Sequence, residues 1–241
     1  MKKHIINFLV VLGLFLLLIG IPKISGLLAN QFDLSQADPD GAYLWISLHH
    51  IFQALIFIPL FVIVKKIKPE IHFGIGIGDY KLGLSYVTKF TLFFLGYTAV
   101  GFAIVLLSGT FQPFQYPMNA RNIFGYLGFQ LLLSGPSEEL LFRSFGMAVL
   151  GYFIGKRVFK GKLSVSNIII AVIFGLAHVG FSFSPFELRY SAFQVIYAFA
   201  LGLLYGDCIE RTKSVIYPMM LHSISNVIAV GVTVLVTALN I

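Results

Sequence analysis

Charge is scarce in this chain. Asp, Glu, Lys and Arg make up 11% of its 241 residues, where a soluble domain carries about 25%. Such a sequence has too few charges to clothe a water-facing surface, and 58% of it is hydrophobic. Cysteine is almost missing: Cys208 stands alone, so an intrachain disulfide and a cysteine-based metal site are both excluded. There is no His-Glu-x-x-His, no internal repeat, no long linker and no low-complexity tract. Acidic residues are fewer than basic ones, giving a net charge of +7. The basic residues sit in short loops between apolar runs, so membrane topology accounts for them and nucleic acid is not implied.

What the chain has in abundance is long apolar runs. Segments near 5–21, 44–64, 84–107, 122–150, 164–181, 190–207 and 214–237 give about seven candidate spans of roughly 17–25 residues. The fold expected is therefore all-α, a polytopic transmembrane helical bundle with a polar intramembrane site. Lys2 and Lys3 ahead of the first run resemble a signal peptide, but the run is long and no small-residue cleavage pattern follows it, which predicts an uncleaved first span. With the N-terminus in the cytoplasm, Lys2, Lys3, Lys65, Lys66, Lys68, Lys81, Lys89, Lys156, Arg157, Lys160, Lys162, Arg211 and Lys213 all fall inside. Outside there are Lys23, Arg121 and Arg189 beside Asp33, Asp38, Asp40 and Glu187, an alternation that follows the positive-inside rule. This predicts a multi-pass protein of the cell membrane with a cytoplasmic N-terminus. Tyr43 and Trp45 stand where aromatic anchors belong, and the glycine-rich stretch from Ile71 to Gly83 reads as an interfacial or re-entrant cytoplasmic segment.

Three of the spans carry groups that hydrocarbon does not tolerate freely. The fourth holds Ser134-Gly135-Pro136-Ser137-Glu138-Glu139 followed by Arg143, and each charge at mid-bilayer costs about 2.5–3.5 kcal/mol. Gly135 and Pro136 predict a break there, with a new helical turn from Ser137 whose positive dipole end meets the carboxylates. Glu139 and Arg143 are i and i+4, the order that favours an ion pair, while Glu138 lies about 100° round the helix. The fifth span ends in Phe174-x-x-x-His178, and the last contains His222-x-x-x-Asn226, two residues one turn apart on one face. His4, His49, His50 and His72 read as interfacial, and Asp207 and Glu210 as solvated.

Peptide hydrolysis in a membrane needs an activated water, a proton carrier and donors for the oxyanion. Glu138 with His178 suits the first two tasks and His222 with Asn226 the last, with Arg143 holding Glu139 charged. Neither Ser137 nor Cys208 has a recognisable base beside it in the sequence, which counts against a serine or cysteine nucleophile. The competing chemistry is zinc held by Glu138, His178 and His222; the reading preferred here is metal-free, with no cofactor.

Glu138-Glu139-x-x-x-Arg143, Phe174-x-x-x-His178 and His222-x-x-x-Asn226, in this order, resemble the three motifs of the CAAX protease and bacteriocin-processing family (CPBP, or Abi), which includes type II CAAX prenyl endopeptidases and lysostaphin-resistance-like proteins. The resemblance covers roughly residues 120–230, and 206–226 looks like the family's last two core helices. It implies N-terminal transmembrane helices and an interfacial segment over 1–110, and catalytic core helices over 111–241. It implies Glu138 and His178 as water activators, His222 and Asn226 as the oxyanion site, and Glu139 and Arg143 in support. The expected function is an intramembrane endopeptidase acting on a membrane-associated peptide or a lipidated protein tail, with the bilayer as its setting and no nucleic-acid partner. The alternatives are a non-catalytic membrane regulator or immunity protein and, with less support, a proton-coupled transporter, which would show paired broken helices and an internal repeat.

Overall fold

Backbone placed in hydrocarbon must satisfy its own N–H and C=O groups, so the apolar runs coil into helices. The computed structural model describes residues 2–183 and 186–239. Among these, α1 (Lys2–Ala29), α2 (Leu44–Ile67), α3 (Tyr80–Leu107), α4 (120–153), α5 (Val165–Leu176), α6 (Ala192–Thr212) and α7 (Ile216–Ala238) follow one another. Two small antiparallel hairpins complete the fold: β1 (Arg157–Val158) with β2 (Leu163–Ser164), and β3 (Gly180–Phe183) with β4 (Phe186–Arg189). All seven expected apolar segments are helical. Five helices, α1, α2, α3, α6 and α7, have the length and composition to cross a bilayer.

The other two differ from the expectation in instructive ways. The fifth segment was expected to span over 164–181, but α5 has 12 residues and rises only ~18 Å, short of the ~20 residues a span requires. It stops at Leu176, and the chain turns through residues 177–179 into the β3–β4 hairpin. In α4 the expected break at Gly135-Pro136 is absent. Ser134 and Gly135 both keep right-handed helical dihedrals, and the segment widens into π-helical turns over Gln130–Ser134 and Leu140–Met147. Pro136 has no N–H and its ring crowds the carbonyl one turn back; a wide turn before it relieves both problems without stopping the helix. No half-helix dipole therefore faces the carboxylates.

Packing joins α1 to α2, α3 to α7, α5 to α6, and the middle of α4 to α7. The close approach of α4 and α7 rests on Gly135, where a Cβ would lie 2.7 Å from Ser223 Oγ and 3.0 Å from the Met219 carbonyl. An apolar core runs between α1, α2, α4 and α5, with Leu18, Phe57, Leu141, Leu150 and Ile170 at its centre. A second, aromatic core of Phe90, Phe94, Tyr205 and Tyr217 joins α3 to α6 and α7.

The two ends of the bundle are chemically distinct. At one end, Asp38 accepts hydrogen bonds from the backbone N–H groups of Ala42, Tyr43 and Leu44, capping α2, and Asp40 accepts from Arg121 Nη2 (3.1 Å) and Asn122 Nδ2 (2.9 Å) at the start of α4. At the other end the glycine-rich stretch folds back against the α6–α7 turn. Asp79 N donates to Thr212 O, Val215 N to Gly74 O and Ser144 Oγ to Phe73 O, so its irregular backbone is satisfied by protein. Gly74 and Gly78 have φ of +67° and +59°, which only glycine adopts cheaply.

Candidate active site

Glu139 and Arg143 pair as their spacing predicts, Nε lying 3.2 Å from Oε2 with both side chains fully buried. The approach is close but not aligned as a hydrogen bond, and Arg143 Nη1 and Nη2 find no acceptor among the described residues. The guanidinium is instead sandwiched by rings, its carbon 4.1 Å from the Phe174 centroid and 5.5 Å from that of Tyr205. Cation–π attraction and the Glu139 charge thus share the work of holding it.

The other oxygen of Glu139 leads to the last helix. Glu139 Oε1 lies 2.9 Å from His222 Nδ1, a distance at which an Nδ1–H donates to the carboxylate. The imidazole stacks on Tyr205 at 5.3 Å and meets Phe174 edge-on at 5.9 Å. This fixes the ring and turns Nε2 toward Glu138, whose Oε2 is 4.0 Å away. Glu138 and Glu139, neighbours in sequence, therefore have different surroundings: Glu139 is sealed between two cations or potential cations, and Glu138 keeps 22% of its side chain exposed.

That exposed face lines a cavity of about 250 Å³ walled by Ile19, Lys23, His49, His50, Gln53, Phe142, His178 and Phe181, among others. His178 belongs to it from the turn beyond α5 rather than from inside a span. Its Nδ1 lies 2.8 Å from the Phe174 carbonyl, one of the carbonyls left unpaired at the helix end. If Nδ1 carries the proton that this bond requires, Nε2 is left with a free lone pair in the neutral ring. Asn226, one turn beyond His222, donates through Nδ2 to Ser134 Oγ at 3.1 Å and so ties α7 to α4 at the site; its second N–H is available.

His50 was read as interfacial and is not. It is 6% exposed, and its Nδ1 is 2.6 Å from Ser137 Oγ, with Gln53 Nε2 at 3.4 Å from the same oxygen. The α2 helix thus brings a histidine pair, His49 and His50, to the wall facing Glu138. The signal that could have found them is the His50–Gln53 spacing of i and i+3, two polar groups on one face of an apolar helix. Ser137 does then have a base beside it, contrary to the sequence reading. Its hydroxyl is nonetheless buried at 5% and donates to the Ser134 carbonyl, so it serves the α2–α4 contact and does not face the cavity. Cys208 is fully buried, beneath Thr212.

Among the described residues no group of three His, Cys, Asp or Glu side chains is placed to hold a metal ion. Asp207 and Glu210 stand apart from the site, paired with Arg211 at 2.8 Å and Arg157 at 2.9 Å.

Residues 120–228 match the family model described as type II CAAX prenyl endopeptidase Rce1-like, and this range contains Glu138, Glu139, Arg143, His178, His222 and Asn226. The match bears out the resemblance seen in the three motifs and supports membrane-bound proteolysis as the class of function. No curated protein and no solved structure matches the chain.

Proposed function

We propose, on the match of residues 120–228 to the type II CAAX prenyl endopeptidase Rce1-like family model, that the chain is an intramembrane endopeptidase that cleaves membrane-associated peptides by a glutamate-activated water. The observation that carries the reading is the placement of Glu138: a partly exposed carboxylate in a small cavity, with His178 on the same wall and His222 Nε2 facing it at 4.0 Å. Glu138 is the general base that takes a proton from water. His178, with Nδ1 committed to the Phe174 carbonyl, relays that proton through Nε2 to the departing amine as the C–N bond breaks. His222 stabilises the tetrahedral oxyanion as an Nε2–H donor, its ring held by Glu139, and the second N–H of Asn226 is the other donor. Arg143 pairs with Glu139, which in turn holds the imidazole in place; it is a positioning residue.

The cavity opens among the C-terminal third of α1, the start of α2 and the turn after α5, the end of the bundle that holds Asp38 and Asp40. The charge pattern of the loops assigns that end to the outer face of the cell membrane. The substrate we propose is accordingly an apolar peptide or precursor lying in the outer leaflet, with a lipidated tail as the second substrate class.

The test is cleavage of a panel of lipidated and precursor peptides by the purified full chain beside Glu138→Gln and His178→Ala, with and without a strong chelator. Cleavage by wild type alone, unaffected by chelator, is the expected result. Chelator-sensitive cleavage would replace the water-activation step with a metal-bound one. Failure of every peptide, with cellular function intact in both variants, would overturn the protease reading in favour of a membrane regulator.

A further inference from the structure

A second cavity, larger than the one at Glu138, lies on the far side of the Glu139–Arg143 pair. It encloses about 1180 Å³ between the C-terminal halves of α2 and α4, the glycine-rich stretch and the end of α6. That exceeds the ~300–1,000 Å³ of ordinary small-molecule pockets. Its interior is apolar, with Phe61, Phe73, Met147, Ile154 and Ile209, and Val62, 49% exposed, stands on its lipid-facing rim. Arg143 reaches it from within as a fully buried cation, its Nη1 and Nη2 without acceptors among the described residues.

The mouth is cationic. Lys65, Lys66, Arg157 and Lys213 line it against a single carboxylate, Glu210. Lys65 is spent on the Pro69 and Ile71 carbonyls, and Arg157 neutralises Glu210 at 2.9 Å. Lys66 and Lys213 form no ion pair among the described residues, so the mouth keeps two uncompensated charges above an apolar chamber. A site built in this order, from charge outside to hydrocarbon inside, complements an amphiphile with an anionic head.

We propose that this cavity binds one anionic phospholipid, an acyl chain in the chamber and the phosphate between Lys66 and Lys213. The basic end is the one the positive-inside pattern assigns to the cytoplasm, where anionic lipid concentrates. The site rests on the membrane character of the chain and not on its proteolytic function, so a failure of the protease reading leaves it standing.

Native mass spectrometry of the detergent-solubilised full chain, given phosphatidylglycerol and phosphatidylcholine in equal amounts, tests it directly. One retained phosphatidylglycerol per chain, favoured over phosphatidylcholine, is expected. The double variant Lys66→Gln/Lys213→Asn should weaken retention about tenfold or more, since each surface cation contributes on the order of 1 kcal/mol toward anionic lipid. Asparagine suits position 213 because Lys213 has φ of +60°. Gly151→Leu narrows the chamber without changing charge; a Cβ there meets only Ser166 Oγ at 3.7 Å, so the helix accepts it, and retention should weaken. Unchanged helix content and elution confirm that each variant is folded. Equal retention of both lipids, undiminished binding by Gly151→Leu, or displacement by millimolar inorganic phosphate would each overturn the proposal.

Discussion

His222 Nδ1 lies 2.9 Å from Glu139 Oε1, which makes the second glutamate of the pair the anchor of a histidine 83 residues away. The first glutamate is thereby left as the group that faces the cavity. Division of labour between two adjacent carboxylates is the central property of the site, and it separates the consequences of changing each.

Glu138→Gln should remove peptide cleavage by about 10²–10⁴-fold, the range of a lost general base, with little change in thermal stability because the side chain is partly exposed. Steady-state cleavage and a thermal unfolding midpoint in detergent, measured on the same preparation, check both halves.

Glu139→Gln should lose stability as well as activity. It strands Arg143, 1% exposed, without its counter-charge, and breaking a buried pair from one side costs about 3–5 kcal/mol. The double variant Glu139→Gln/Arg143→Met should recover much of the unfolding midpoint and none of the cleavage. A double variant as active as wild type would show that the pair does not position His222.

His50→Phe removes the bond to Ser137 Oγ and fills the wall opposite Glu138. We expect kcat to fall about tenfold or more while KM changes little, since loss of a positioning group is felt in the chemical step. Equal rates in variant and wild type would confine His50 to helix packing.

Gly135→Ala forces a methyl group against Ser223 and the Met219 carbonyl, whose backbone yields only by separating α4 from α7. Overpacking of this kind costs about 1–3 kcal/mol, and the unfolding midpoint should fall accordingly. Ala substitution at Gly96, where a Cβ meets nothing within 4 Å, is the matched control and should leave the midpoint unchanged or raised.

The loop that ties α2 to α4 should be sensitive to acid. The Asn122 amide chiefly, with Arg121 and Asn119, holds the Asp40 carboxyl below its ordinary value of 3.8 against a smaller opposing effect of burial. For Asp38 burial is the largest single influence and raises it, but the N–H groups of Leu44, Tyr43 and Ala42 together with Arg121 outweigh it and leave it lowered. Depressed carboxyls contribute stability in full above their unfolded value, and it drains away as pH falls through the folded one. The unfolding midpoint should therefore drop below roughly pH 4, and Asp40→Asn should flatten that decline.

The sequence by itself determined the membrane character, the helical class and the Glu139–Arg143 pairing, and it offered the candidate site residues through the three motifs. Composition and i, i+4 spacing are local properties, so they are readable without knowing which helix touches which. The family match over 120–228 agrees with those motifs. Local rules misjudged α4, because whether Pro136 stops a helix or is absorbed by a π-turn depends on the helices packed around it. They also extended α5 to 181, since apolar residues beyond Leu176 look alike whether they coil or turn. Only the tertiary structure decided that α2 delivers His50 to Ser137, that Glu139 and not Glu138 holds His222, and that a second, basic-mouthed cavity lies behind Arg143. The first two join residues 87 and 83 positions apart, and distance between helices is set by packing, which no spacing along the chain records.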